Sequence, residues 1–140
     1  MAEFVMKRYV RRAGLEEEFE IASAGTSDEE QGNPVFPLAK RKLAEHGVGC
    51  PGKTANQVTA ADMERYDLIV CMDSKNLDAL SKTFGSQYKS KTSLLLDHLP
   101  SNHKRAGQDV ADPWYTRNFD AAWSDIDAGC KALFEQLTQE

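Results

Sequence analysis

Tyr66-Asp67-Leu68-Ile69-Val70-Cys71-Met72-Asp73-Ser74-Lys75-Asn76-Leu77 is the stretch on which the fold turns. Leu68 to Cys71 is an unbroken apolar run, the pattern of a short strand buried on both faces of a sheet. Directly after it, Ser74 is placed to cap a helix that carries Leu77, Leu80 and Phe84 on one side. A buried strand feeding straight into an amphipathic helix is the unit from which parallel sheets are built.

The same alternation extends in both directions. Toward the C-terminus, Ser93-Leu94-Leu95-Leu96 is a second apolar run. Asp97 to Arg117 is long, polar and proline-containing, which marks a functional loop. From Asn118, the residues Phe119, Trp123, Ile126, Cys130, Leu133, Phe134 and Leu137 form one helical stripe. Toward the N-terminus, Thr59 caps a helix running to Tyr66 with Asp62 in its first turn. Leu38 to His46 is helical, with Gly47 just past it. Asp28 to Pro37 is a loop rich in turn residues. Phe19 to Ser23 reads as a strand ended by Gly25 and Thr26. Glu3 to Ala13 is a helix stopped by Gly14. Neither Met1 nor Ala2 is a good N-cap for it. The pattern predicts a single α/β domain over 1–140, a three-layer sandwich around a mostly parallel sheet. In a doubly wound fold a first helix follows a strand, so a first central strand is expected to be missing from these residues.

Bulk properties narrow the function. A chain of 140 residues buries a core without staples. At 41% hydrophobic and 28% charged it is globular. A formal charge of -5 argues against broad nucleic-acid or membrane binding. There is no apolar run of membrane length and no signal-peptide pattern at the start. Three scattered cysteines, Cys50, Cys71 and Cys130, suggest reduced thiols and a cytoplasmic protein. His46, His98 and His103 have no metal-ligand spacing near them, so no metal is expected.

Four stretches, in order and suitably spaced along the whole chain, resemble the low-molecular-weight protein tyrosine phosphatases. Met1-Ala2-Glu3-Phe4 is similar to the residues after that family's phosphate loop. Ile21-Ala22-Ser23-Ala24-Gly25-Thr26-Ser27 is similar to its second strand and turn. Tyr66 to Leu77 resembles its third strand and the helix start that follows. Asp112-Pro113-Trp114-Tyr115 resembles its D-P-Y-Y acid loop. The family signature, a strand followed by C-x5-R-S, is absent from these residues. Six positions after Cys50, Cys71 and Cys130 stand Asn56, Leu77 and Gln136. Asn56 before Gln57, and Lys53 nearby, are further departures from the family pattern.

The resemblance implies two-step phosphoryl transfer without a cofactor. A helix N-terminus and its loop of backbone N–H groups hold the phosphate and lower the pKa of a cysteine. The thiolate attacks, and an arginine clamps the oxygens. An aspartic acid protonates the leaving phenolate, then activates water. Asp112 is the expected acid, against the plainer reading of Asp-Pro as a turn. Trp114 and Tyr115 would wall a slot for a phenyl ring, or simply pack under the last helix. Ser23, Asp73, Ser74 and Asn76 would support the phosphate loop; for Ser74 an ordinary cap accounts for the residue equally well. Glu29 and Glu30 occupy the substrate-selecting loop, where a solvated turn is the plainer reading. Cys71 reads as a small core residue.

The implied substrate is a phosphotyrosine protein or an aryl phosphate. These 140 residues alone are expected to be inactive, because the nucleophile and its arginine are absent from them. The competing expectation is a non-catalytic, partner-binding protein on a degenerate phosphatase fold. A thiol-dependent arsenate reductase of the same fold ranks last, because the cysteines are too scattered. A domain-swapped homo-oligomer, or strands sliding together into a new pairing, is expected to close the gap in the sheet.

Overall fold

The computed structural model of the chain describes residues 1–26, 37–50, 52, 56–111 and 118–139. Helix α1 spans Ala2–Arg12, α2 Pro37–Glu45 and α3 Ala60–Arg65. Strand β1 (Ile69–Cys71) leads into α4 (Ser74–Phe84). Strand β2 (Thr92–Leu94) runs into a 3-10 turn over Leu95–His98, and α5 covers Phe119–Thr138. Among the described residues the sheet is β1 and β2 alone, parallel, with Ile69 opposite Thr92 and Cys71 opposite Leu94.

The two-residue period of β1 builds the layers. Ile69 and Cys71 face a core with Met63, Leu80 and Leu94. Val70 and Met72 face a larger core drawn from α1, α2, α5 and the turn after β2. Leu94 belongs to the first core and Leu95 to the second, so the chain changes sides within one residue step. Helices thus cover both faces of a parallel pair, the expected α/β layering.

Helix α5 is the main support of the larger core. A Cβ on Gly129 would lie 2.6 Å from Cγ of the buried Leu95, so only glycine lets α5 approach the turn after β2. Tyr9 on α1 donates a 2.6 Å hydrogen bond to Asp127. The rings of Trp123 and His46 stack face to face, 3.9 Å apart and 5° from parallel. Arg8 lies 5.7 Å from the same indole and donates to the carbonyl of His46.

Several boundaries differ from the sequence expectation. Phe19–Ser23 is not a strand. Phe19 is extended (φ -126, ψ 132), yet no backbone–backbone hydrogen bond forms from Phe19 to Ala22 among the described residues. Extended residues become a strand only when a neighbour takes up their N–H and C=O groups. Arg65 pairs with Glu20 at the surface instead. Among the described residues β1 pairs with β2 and not with Phe19–Ala22, so the expected sliding together of the remaining strands is not seen there. Leu68 is 40% exposed and lies outside β1, against the expected burial on both faces. Among the described residues each of the two strands has one edge with no strand beside it. The second apolar run is a strand only at its start, because Leu95 and Leu96 turn into the larger core. Leu137 is 43% exposed, so the apolar stripe of α5 ends one turn early. Met1 caps α1 with no side-chain hydrogen bond, as its chemistry requires.

Candidate active site

Strand β1 ends at Cys71, and the turn beyond it brings three of the expected support residues together. Asp73, rather than Ser74, is the N-cap of α4. Its carboxylate accepts from the Asn76 N–H at 2.8 Å. The Asn76 side-chain oxygen accepts in return from the backbone N–H groups of Met72 and Asp73, at 3.2 and 3.3 Å. This is a reciprocal capping box, which fixes the backbone at the C-terminal end of the strand. An Asp cap outcompetes the neighbouring serine because a carboxylate also complements the positive end of the helix dipole.

Ser74 is the first residue of α4 and turns outward. Its backbone N–H and its hydroxyl both donate to the Asp109 carboxylate, at 2.9 and 3.1 Å. Next to Asp109, the Val110 N–H donates to the Met72 carbonyl at 2.8 Å. The loop after β2 is therefore laced onto the turn after β1. A cleft of about 680 Å³ opens there, lined by Asp73, Ser74, Lys75, Gln108, Asp109 and Ala111 among others.

From the other side, α5 holds the same loop. The Arg105 guanidinium grips the Asp125 carboxylate through Nε and a terminal nitrogen, at 3.2 and 2.9 Å. That hydrogen bond is the leading cause that raises the Arg105 pKa above its ordinary value. Asp125 is 8% exposed, and it also accepts the Ala111 N–H at 2.9 Å. Arg105 donates in addition to the Asp109 carbonyl and the Gln108 side chain.

Ser23 stands apart from the 73–76 turn in its bonding. Its hydroxyl donates to Glu3 Oε1 at 2.7 Å, and Lys7 closes on Oε2 at 2.7 Å. Glu3, in the first turn of α1, is 8% exposed. Ser23 thus secures the N-terminal turn of α1, where a charged side chain would be costly without partners. Asp112, Trp114 and Tyr115 lie outside the described residues, as do Glu29, Glu30 and Lys53.

The two buried thiols, Cys71 and Cys130, are not poised for attack. Burial, with the Asp73 charge second, pushes Cys71 up to about 11. Burial, with Asp127 second, pushes Cys130 up to about 12. Both are protonated at neutral pH, and a nucleophile must be a thiolate. Among the described residues no group of three His, Cys, Asp or Glu side chains is arranged to hold a metal, and no helix is long and apolar enough to cross a membrane.

Sequence reasoning did not single out Glu3, Asp109, Arg105 or Asp125. Asp125 carried a usable signal. It stands between Trp123 and Ile126 on the apolar stripe, where a carboxylate implies a buried cation or donor. Which cation that is depends on the path of the loop, and no spacing rule reports that.

Comparison with known proteins bears on this geometry. The family model described as low molecular weight phosphotyrosine protein phosphatase matches residues 1–140. The low molecular weight protein-tyrosine-phosphatase YfkJ of Bacillus subtilis is 31% identical over 140 residues, covering 100% of this chain and 88% of its own. The low molecular weight phosphotyrosine protein phosphatase of Gallus gallus is 30% identical, covering 97% of this chain and 85% of its own. The YfkJ crystal structure superposes with a TM-score of 0.91 at 30% identity, over 99% of this chain and 87% of that one. The enzyme SP-PTP of Streptococcus pyogenes gives 0.84 at 31% identity, over 99% and 84%. Those structures share the α/β fold with a parallel sheet seen in this chain, and the chain belongs to the low molecular weight phosphotyrosine protein phosphatase family.

Proposed function

We propose that this chain forms the acid-loop and support part of a phosphotyrosine phosphatase, and that the 140 residues alone do not turn over aryl phosphates. The observation that carries the reading is the family match along the full chain, with the capped 73–76 turn bonded to the segment that leads into Asp112. Asp112 serves as general acid toward the leaving phenolate and then as base toward water. Trp114 and Tyr115 receive the aryl ring, and Glu29 and Glu30 select among substrates. Asp73, Asn76 and Ser23 hold the backbone against which a phosphate loop sits. The reading requires no cofactor, and its substrate is a phosphotyrosine protein or an aryl phosphate in the cytoplasm.

No cysteine of the 140 is followed by arginine at the sixth position, which favours a second reading as a non-catalytic partner binder. Turnover of p-nitrophenyl phosphate separates the two. The 140-residue chain is expected to show none above background. Loss of catalytic groups that act as a unit costs about 10⁶-fold in kcat in the best-studied hydrolase. A version extended upstream by a strand and a C-x5-R-S segment is expected to gain turnover. In that version Asp112→Asn lowers kcat about 10²–10⁴-fold, least for leaving groups that need no proton. An extended version that folds but stays silent supports the binding protein. Activity of the 140-residue chain at an ordinary phosphatase level overturns the proposal.

A further inference from the structure

The loop between β2 and α5 is gripped from two sides before it reaches Asp112. On one side Asp109 is bound by the backbone and hydroxyl of Ser74. On the other, the Arg105–Asp125 pair takes the Asp109 carbonyl and the Ala111 N–H. Ala111 is covalently the residue before Asp112.

We propose that Asp125 and Arg105 are positioning residues for the general acid, acting through the Ala111 N–H that Asp125 holds.

This rests on the reading of Asp112 as the acid. Three features set the pair apart from an ordinary surface salt bridge. First, it is forked. Two parallel N–H···O bonds fix the guanidinium plane against the carboxylate plane, which a lysine cannot do. Second, one carboxylate oxygen is shared. Asp125 Oδ2 accepts from both Arg105 and Ala111, so the backbone amide is registered to the same atom that the cation holds. Third, the carboxylate of the pair is shielded, although the Arg105 side chain is 33% exposed. Asp125 is 8% exposed, whereas the surface pair Arg65–Glu20 has both side chains more than half exposed. An exposed pair of that kind is worth little. A shielded, forked carboxylate that holds a backbone N–H costs conformational freedom in the loop, and that cost is useful only where the next residue must be held in place.

The geometry also explains a division of labour. Helix α5 is long and packed into the larger core, so Asp125 is a rigid anchor. The Ser74–Asp109 tie is exposed and hangs on the first turn of α4. Of the two grips, the one on α5 is expected to set the position of Ala111.

Amide hydrogen exchange by NMR on the 140-residue chain tests this without any need for turnover. Asp125→Ala removes both carboxylate oxygens, so the acceptor shared by Arg105 and the Ala111 N–H is lost. Protection of the Ala111 amide is expected to fall about 10–100-fold, the range for a lost charge-assisted hydrogen bond. Ala122 and Ile126 in α5 are expected to keep theirs. Arg105→Lys keeps both charges and guards against a misfolded Asp125 variant. It breaks the fork and is expected to lower Ala111 protection in the same direction. A second readout follows Trp114, labelled with 5-fluorotryptophan. Its ¹⁹F line, assigned by Trp114→Phe, is expected to change width in both variants. A merely structural pair would instead lower protection along all of α5 in step with Ala111 and leave the Trp114 line as it was. That pattern, or unchanged exchange at Ala111 in folded Arg105→Lys, overturns the proposal. Failure of the phosphatase reading itself shows separately, as the silent extended version described above.

Discussion

Gly129 illustrates how one residue in a family scaffold sets the distance between two elements. With Leu95 1% exposed and its Cγ 2.6 Å from where a Cβ would stand, Leu95 has no free space to retreat into. Alanine is the better helix former by about 1 kcal/mol. Overpacking a closed core costs about 1–3 kcal/mol. Gly129→Ala is therefore expected to destabilise the chain by up to about 2 kcal/mol in denaturant unfolding; a gain in stability would mean that α5 is free to slide outward. The position was legible as glycine but not as a contact, since its partner Leu95 lies 34 residues earlier. The same holds for the site. Asp73 and Asn76 could be read from local spacing, because a capping box closes within four residues. Asp109, Arg105 and Asp125 could not, because their partners are fixed by the path of the loop.

The helices were the legible elements. Thr59 with Asp62 caps α3 as its side chain predicts, and Asn118, where the last helix is expected to start, caps α5. Asn118 accepts the Ala121 N–H at 3.0 Å. Asn118→Ala should cost about 1 kcal/mol, measured by thermal or urea unfolding, with the loss confined to the first turn of α5 in hydrogen exchange. An unchanged midpoint would show that the turn is held by other partners. Strands were less legible, for a physical reason. A helix closes its own hydrogen bonds, whereas a strand is defined by its neighbour. Phe19–Ser23 has the composition of a strand and begins extended at Phe19, yet no backbone–backbone hydrogen bond forms over Phe19–Ala22 among the described residues. Leu95 and Leu96 continue an apolar run but bend away, since two leucines in a row serve a core on one side only if the chain turns.

At the scale of the molecule, open strand edges invite another chain. The domain-swapped oligomer expected from the sequence is tested by light scattering on the purified chain. Multimers that persist on dilution agree with a swap, in which native-like contacts are reused between copies. A strict monomer with an ordinary cooperative melt refutes it.

The passage of the chain from one apolar core to the other between Leu94 and Leu95 bears on how the protein comes apart. Among the described residues, twelve buried side chains make up the core under α5, and four make up the core under α4. The two are joined through β1 and β2, each three residues long, and through the few bonds that tie Asp109 and Val110 to Ser74 and Met72. So thin a joint transmits little cooperativity. The smaller unit is expected to open first, as a separate foldon, while the larger stays closed. Calorimetry would then record an unfolding enthalpy larger than the van't Hoff value of either probe alone.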